Sequence, residues 1–412
     1  MGLIESNSVE RSDLEARHNP SPSLPFAKGR GYVDLDQRLT RELSKLKEHS
    51  RYRSLSTAAG IDFTSNDYLG LAHNDIIRKQ LVEYLSSDVL LSSSGSRLLR
   101  GNHPEHELLE RRFADFLNCD TTIFFNSGYD ANFALLTTLP TRHDTILLDS
   151  LVHASLKEGA HASIAEKRMF EHNSVTSLRQ VADKARTSGD TYVIVESIYS
   201  MDGDEAPLAE IASFCLERGY VLIIDEAHGT GVFGINGRGL IDELGVRQNV
   251  NISVHTCGKA LGAAGAVVAC NQLVKEFLIN KARPFIYTTA LPPLIPLQII
   301  ATLDLLEERG NLIETLHSNV MNVRKTLTAN LWNWHVIEGR SPIIAVIIGD
   351  DATAISAAAY LQSHGLDVRA IRPPTVPTGT ARLRITIHAD HTEAELKLLC
   401  DTLIQAEALC KA

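Results

Sequence analysis

The chain has 412 residues, of which 44% are hydrophobic, and a formal net charge of −10 at pH 7. This length and composition predict a globular protein of about two or three domains with a large buried core. Basic residues are scattered along an acidic chain, so we expect no binding to nucleic acid or to an anionic membrane surface.

Hydrophobic and cysteine patterns exclude further classes. No apolar run of about 18 residues is present, so a membrane-spanning helix is not expected. The six cysteines form no CxxC pair and no His-Cys cluster, which disfavours a metal site or a disulfide framework and favours a reducing compartment. The first 30 residues are polar and lack the apolar segment of a signal peptide. We therefore expect a cytoplasmic protein with a loosely attached N-terminal extension.

The first regular element is predicted just after that extension. Leu35, Leu39, Leu43 and Leu46 recur at helical spacing, with basic residues between them. Because a helix turns once every 3.6 residues, these leucines fall on one face and predict an amphipathic helix.

Short apolar runs alternate with helical segments from about Asn66 onward. Such runs predict a mostly parallel sheet that is buried on both faces. They are TTIFF (121–125), DTILLD (144–149), TYVIVES (191–197), YVLIID (220–225) and GAVVAC (265–270). Polar motifs follow these runs, where open α/β sheets bind ligands beyond the carboxyl ends of their strands.

The C-terminal part has a different pattern. A stretch from Leu291 begins with prolines and predicts one long helix that links two domains. PIIAVIIG, an Ala-rich helix near Ala352–His364, VRAIRPP, ARLRITI and a helix from Thr392 then predict a smaller α+β domain. We predict three parts: an N-terminal extension and helix (1–60), a large domain (61–295), and a linker helix with a small domain (296–412).

Two residues carry the strongest chemical signal. Lys259 lies in the Gly-rich turn of SVHTCGKALGAAGAVV, 34 residues after Asp225 of VLIIDEAHGTG. This pair is what a pyridoxal phosphate enzyme requires: the lysine would hold the cofactor as a Schiff base, and the aspartate would pair with the pyridinium nitrogen. Either residue alone is weak evidence, because most lysines are solvated and an aspartate at a strand end often caps a helix.

The neighbouring motifs extend this pattern over nearly the whole chain. In order they are SNDYLGL (65–71), GSRLLRGNHPEHELLE (95–110), SGYDAN (127–132), SMDGD (200–204), DEAHGTG (225–231), GKALG (258–262) and IRPPTVPTGTARLRIT (371–386). With these motifs the chain resembles the α-oxoamine synthase family of fold type I pyridoxal phosphate enzymes. The resemblance implies an α/β fold with a large, mostly parallel sheet domain and a smaller α+β C-terminal domain.

The resemblance also implies roles for individual residues. Lys259, Asp225 and His153 would be catalytic, with His153 lying face-on against the cofactor ring. The cofactor would further be held by Gly128 and Tyr129 at its phosphate, by His228 at its phenolic oxygen, by the hydroxyls of Ser200 and Thr256, and by Thr289 from a neighbouring subunit. Thr289 therefore implies a homodimer with composite active sites, although it could instead cap a helix before Pro292.

Substrate contacts are implied at Asn66, Thr375 and Arg384. Arg382 and Arg384 alternate on one strand and so share a face. An arginine fork suits a carboxylate because it contacts both oxygens, although both side chains could be solvated on an edge strand. Arg51 or Arg53 could face the acyl substrate, and no role is assigned to them.

The implied reaction is a decarboxylative condensation of an amino acid with an acyl thioester. RLLRGNHPEHELLE and IRPPTVP favour the family branch that joins L-alanine to pimeloyl-CoA, or to its carrier-protein form, in biotin biosynthesis. A branch that uses glycine or serine with a different acyl-CoA is the alternative, and a non-catalytic assembly subunit is an alternative of another class.

Overall fold

The computed structural model describes residues 35–48, 52–55, 57–185 and 188–410. The chain divides between Thr57 and Ala58 into two compact units. In the first unit helix α1 spans Leu35–Glu48, which confirms the amphipathic helix predicted from the leucine spacing. Arg51 lies outside the described residues. No helix among the described residues is long and apolar enough to cross a membrane.

The second unit contains the remaining elements. Its strands are β1 Ile61–Asp62, β2 Thr121–Phe125, β3 Thr145–Asp149, β4 Glu166–Phe170, β5 Thr191–Glu196, β6 Val221–Asp225, β7 Ile252–Thr256, β8 Ala266–Cys270, β9 His335–Val336, β10 Ile343–Gly349, β11 Leu366–Asp367, β12 Arg369–Ile371 and β13 Ala381–Thr386. Its helices are α2 Asp75–Leu85, α3 Pro104–Leu117, α4 Gly128–Thr138, α5 Ala154–Ala162, α6 Val175–Ala182, α7 Leu208–Arg218, α8 Leu240–Glu243, α9 Gln272–Lys281, α10 Arg283–Ile286, α11 Leu294–Glu308, α12 Asn311–Asn330, α13 Asp351–Ser363 and α14 Glu393–Leu409.

Seven strands form the large sheet in the order β2-β8-β7-β6-β5-β3-β4. All five apolar runs predicted as strands are found in it. The pairs from β7 through β4 are parallel, and β8 is antiparallel to both of its neighbours. The mostly parallel sheet is therefore confirmed. Strands β3, β5, β6 and β7 point the same way, so their carboxyl ends meet at one edge.

Two strands of this sheet, β4 and β7, were not predicted from the apolar runs of the sequence. Strand β4, with the sequence EKRMF, alternates between exposed and partly buried residues because it lies at the edge of the sheet. Strand β7, ISVHT, contains a histidine and two hydroxyl residues. His255 is nevertheless fully buried, where its two ring nitrogens contact Thr230 and Ser253.

A four-stranded antiparallel sheet, β12-β13-β10-β9, forms the C-terminal part. Strand β13 is central in it, so Arg382 and Arg384 are buried rather than solvated on an edge. The segment after β1 attaches here too: β1 pairs with β11, and the backbone N–H of Thr386 donates to the carbonyl of Phe63 at 2.9 Å. This pairing carries the SNDYLGL motif to the end of β13.

The long linker helix predicted from Leu291 is wrong as one element. It is divided into α11 and α12, because Arg309 leaves the helical conformation and Gly310, a poor helix former, follows it. From Ala58 onward the chain forms one compact unit, and the division at 295/296 stays a proposal.

Candidate active site

A cavity of about 260 Å³ lies at the carboxyl ends of the parallel strands. Asp225 ends β6, Glu196 ends β5 and Thr256 ends β7, and all three line it. The remaining lining residues come from the turns and helix starts that follow these and neighbouring strands: Ser127, Gly128, Tyr129, Asn132, His153, Ser155, Ala227, His228, Gly258, Lys259 and Gly265. The large sheet thus gathers into one cavity motifs that are far apart in sequence.

Lys259 supplies an amine to this cavity. It follows β7 in a tight turn, and its Nζ lies 2.8 Å from Nε2 of His228. Burial lowers the pKa of Lys259 to about 8, although the nearby carboxyl groups of Asp225 and Glu196 oppose that shift. A lysine with this pKa has a substantial neutral fraction near pH 8, which is the form that reacts with an aldehyde or accepts a proton.

Asp225 is a buried carboxylate with fixed hydrogen bonds. Its Oδ2 accepts from Nδ2 of Asn132 at 2.7 Å, and its Oδ1 accepts from the backbone N–H of Ala227 at 2.8 Å. These donors orient the carboxylate and leave it as the anionic wall of the cavity. The Oδ1 of Asn132 is buried without a partner among the described residues.

His153 and Glu196 form another wall. His153 caps α5, where its Nδ1 accepts from the backbone N–H of Ser155 at 3.2 Å. The backbone N–H of His153 donates to the carboxyl of Glu196. Desolvation lowers the pKa of His153, so the ring is neutral at pH 7. Burial and the nearby carboxyl of Asp225 raise the pKa of Glu196 to about 8, so this carboxyl holds a proton at pH 7.

The N-terminus of α4 provides an anion cradle. Ser127 caps the helix and accepts the backbone N–H of Asp130 at 3.0 Å. The backbone N–H groups of Gly128 and Tyr129 belong to the first turn, which has no intrahelical acceptors for them and suits a phosphate. Gly128 is required for packing, because a Cβ there would lie 2.3 Å from Cγ2 of Thr256.

A chain of hydrogen bonds leads from Lys259 to the C-terminal sheet. Tyr68 donates its hydroxyl hydrogen to Oδ1 of Asn66 at 3.0 Å and lies 2.6 Å from Nδ1 of His228. Because the one hydroxyl hydrogen of Tyr68 goes to Asn66, Nδ1 of His228 donates to the Tyr68 oxygen. The other ring nitrogen, Nε2, then carries no hydrogen and accepts from Nζ of Lys259. Burial lowers the pKa of His228 well below its usual value, which keeps the ring neutral.

Arg384 completes this chain. One guanidinium N–H donates to Oδ1 of Asn66 at 2.9 Å, and Nε donates to the carbonyl of Ser200 at 2.7 Å. The guanidinium group of Arg384 is thus held beside the cavity by residues of the SNDYLGL and SMDGD segments.

The residues predicted from the sequence fall into three groups. Seven line the cavity: Gly128, Tyr129, His153, Asp225, His228, Thr256 and Lys259. Asn66, Ser200 and Arg384 are joined to one another and, through Tyr68, to His228; Ser200 takes part through its carbonyl rather than its hydroxyl. Thr289 and Thr375 are exposed and do not line the cavity within this chain.

The residues of the site to which sequence reasoning gave no role include Asn132, Ser155, Glu196 and Tyr68. Three of them lie inside or near a motif that was recognised, and Ser155 lies two residues after His153. Asn132 ends SGYDAN, Glu196 ends an apolar run four residues before SMDGD, and Tyr68 is within SNDYLGL. Glu196 could have been found by the same signal as Asp225, because both are acidic residues at the end of a buried strand.

These donors fit pyridoxal phosphate. The cavity offers an amine, a fixed carboxylate, a histidine wall and a helix N-terminus, which match the aldehyde, ring nitrogen, ring face and phosphate of that cofactor.

Comparisons with known proteins show which proteins this chain is similar to. The chain is 37% identical over 384 residues to the 8-amino-7-oxononanoate synthase of Marinobacter nauticus, covering 90% of this chain and 96% of that one. It is 40% identical over 346 residues to the enzyme of the same name from Photobacterium profundum, covering 83% and 87%.

Solved structures show the same fold. Serine palmitoyltransferase from Sphingomonas wittichii is 27% identical with a TM-score of 0.85, covering 92% of this chain and 98% of that one. The 8-amino-7-oxononanoate synthase of Francisella tularensis is 30% identical with a TM-score of 0.73, covering 86% and 99%. A serine palmitoyltransferase variant from S. paucimobilis, with PLP and myriocin bound, is 28% identical with a TM-score of 0.84, covering 93% and 100%.

The sequence model of the aminotransferase class I and II family matches residues 58–403, which include every cavity-lining residue. This chain therefore belongs to the aminotransferase class I and II family.

Proposed function

We propose that this chain is an 8-amino-7-oxononanoate synthase, a pyridoxal phosphate-dependent acyltransferase of biotin biosynthesis. It would condense L-alanine with pimeloyl-CoA, or with the carrier-protein form, and release carbon dioxide and the free thiol. The observation that carries the proposal is the convergence of Lys259, Asp225 and His228 on one cavity. The names of relatives that are 37% and 40% identical support the choice of substrates.

Pyridoxal phosphate, when bound, supplies an aldehyde that reacts with amines and a ring that withdraws electrons from the bonds at the substrate's α-carbon. Asp225 would keep the ring nitrogen protonated, because its anionic carboxylate is fixed by Asn132 and Ala227. The first-turn N–H groups of Gly128 and Tyr129 would hold the phosphate.

Lys259 would move the proton at the α-carbon of the amino acid. Its lowered pKa leaves Nζ able to accept that proton near neutral pH, and the contact with Nε2 of His228 orients it. His153, which lines the cavity, would lie against the face of the cofactor ring.

Arg384 would bind the carboxylate of the amino acid. Two of its N–H groups are held by Ser200 and Asn66, so the side chain is fixed before substrate arrives. A pre-ordered guanidinium loses little entropy on binding a carboxylate and favours one orientation of the α-carbon. Thr375 remains a proposed substrate contact.

We also propose a homodimer in which Thr289 reaches the phosphate held by the partner subunit. Its exposure, and its position outside the cavity of its own chain, support a contact made across an interface. From the sequence we also propose that the protein is located in the cytoplasm.

Product analysis tests the reaction directly. The purified protein is supplied with PLP, L-alanine and pimeloyl-CoA, and the product is identified by mass spectrometry. Formation of 8-amino-7-oxononanoate, with loss of this product in Lys259→Ala, is the expected result. Absence of any product from alanine with active, PLP-loaded protein would refute the substrate assignment.

A serine-specific acyltransferase is the second candidate. The serine palmitoyltransferase structures overlay this chain with TM-scores of 0.84 and 0.85, against 0.73 for the 8-amino-7-oxononanoate synthase structure. The same assay with serine and palmitoyl-CoA, and with glycine, separates these branches. A non-catalytic assembly subunit is disfavoured by the intact set of Lys259, Asp225, His153 and His228, and a visible cofactor absorbance band would exclude it.

A further inference from the structure

A charged cluster lies outside the cavity, at the base of the SMDGD turn. His172 follows strand β4 and points both ring nitrogens at carboxylates. Its Nδ1 lies 2.9 Å from Oδ1 of Asp149, and its Nε2 lies 2.7 Å from Oδ2 of Asp204. Each nitrogen must carry a hydrogen to satisfy both acceptors, so the arrangement requires an imidazolium. Although burial opposes the charge, the hydrogen bonds to Asp149 and Asp204 raise the pKa of His172 to about 9.

The cluster fixes Asp204 at the end of a tight turn. Nδ2 of Asn173 also donates to Oδ2 of Asp204, at 2.7 Å, and the backbone N–H of Tyr199 donates to the Asp204 carbonyl at 3.0 Å. The Tyr199 ring meets the His172 ring edge-on, with centroids 4.4 Å apart. The charged and titratable groups that face His172 are therefore Asp149 from β3 and Asp204 and Tyr199 from the turn.

The same turn holds the two arginines of β13. The carbonyl of Ser200 accepts from Nε of Arg384 at 2.7 Å, and Asp202 forms an ion pair with Arg382. Gly203 has a φ of +72°, and a Cβ there would lie 2.3 Å from the carbonyl oxygen of Ile343, which begins the neighbouring strand β10. The turn therefore packs directly on the C-terminal sheet, and a shift of the turn moves the partners of both arginines.

We infer that His172 is a positioning residue for substrate binding: bridging Asp149 and Asp204, it fixes the turn from Tyr199 to Asp204 and thereby holds Arg384 in place for the carboxylate of the amino acid. The inference rests on the proposed role of Arg384 in the proposed function. Without the imidazolium, Asp149 and Asp204 repel each other, and the hydrogen bonds of Asn173 must hold the turn against that repulsion.

Steady-state kinetics of His172→Gln, measured for each substrate separately, test the inference. Glutamine can hydrogen-bond to one carboxylate but carries no charge. We expect KM for L-alanine to rise about tenfold, a loss of about 1.4 kcal/mol in binding, while KM for the acyl thioester and the cofactor absorbance stay unchanged. In the wild-type protein the alanine KM should also rise as the pH passes about 9, where His172 loses its proton. The variant should lack this rise.

His317→Gln is the matched control. His317 is also partly buried, and its Nε2 contacts the carbonyl of Val232 at 2.8 Å, away from the turn. This control should leave both KM values unchanged. If His172→Gln does not fold, Asp204→Asn replaces it, because the amide keeps the size of the side chain but weakens the charge-assisted hydrogen bond from His172. The same selective rise is expected.

Three results would overturn the inference. They are an unchanged alanine KM in folded His172→Gln, an equal rise in both KM values, and the same effect in the His317→Gln control. Failure of the proposed function is seen separately, because the wild-type protein would then give no product from alanine. If another amino acid is the wild-type substrate, the same comparison is made with that amino acid.

Discussion

Replacing Lys259 by methionine should change how the stability of the cofactor-free protein depends on pH. Methionine keeps an unbranched side chain of similar length and removes the amine. In the folded protein burial lowers the pKa of Lys259 from 10.5 to about 8. Between these values the unfolded chain binds more protons than the native protein, so the stability of the wild type rises with pH over this window.

The size of the effect follows from the shift. One pKa unit corresponds to about 1.4 kcal/mol, so a group moved from 10.5 to about 8 costs at most about 3 kcal/mol while it is charged in the folded state. As the pH rises from about 7 to about 9.5, Lys259 loses its proton in the folded protein, and about 2 kcal/mol of this cost disappears. Lys259 is only partly buried, so solvent screening reduces the change and we expect about 1 to 2 kcal/mol.

Urea unfolding of both proteins without PLP, at equal protein concentration, measures this difference. Lys259→Met should be the more stable protein near pH 7, and its advantage should shrink toward pH 9.5. The exposed Lys281 on α9 provides the control, since Lys281→Met should differ from the wild type by the same amount at both pH values. A constant difference for Lys259→Met across the range would refute the argument that the site desolvates this amine.

Three further substitutions test the site. Asp225→Asn should keep the fold but lower kcat by about 100-fold or more, because an amide cannot stabilise a protonated ring nitrogen; near wild-type turnover would contradict this role. Arg384→Lys should raise KM for the amino acid by about tenfold, since a lysine cannot make the two-pronged contact with a carboxylate; an unchanged KM would exclude the contact. Thr289→Ala mixed with Lys259→Ala should regain activity on subunit exchange, whereas Arg384→Ala mixed with Lys259→Ala should not; no recovery with the first pair, despite confirmed exchange, would exclude a contact across the dimer.

Local sequence patterns were sufficient for much of the fold. Strands buried on both faces of a parallel sheet are mostly apolar, so TYVIVES and YVLIID could be recognised without knowledge of their neighbours. Strand β4 could not be recognised, because an edge strand is exposed on one side and its polar sequence EKRMF resembles a loop. The break between α11 and α12 was marked by Gly310, a signal that the long apolar periodicity obscured.

Motifs likewise identified Lys259, Asp225 and His228, because the turns that hold them are short and leave a local signature. The sequence by itself thus determined the parallel sheet and the residue types at the ends of its strands. Only the tertiary structure decided that β13 is a central strand with both arginines buried, that Glu196 lies beside Asp225 and keeps its proton, and that His172 bridges two carboxylates. The physical reason is that burial and charge at these positions are set by segments far away in the sequence, so no local pattern contains them.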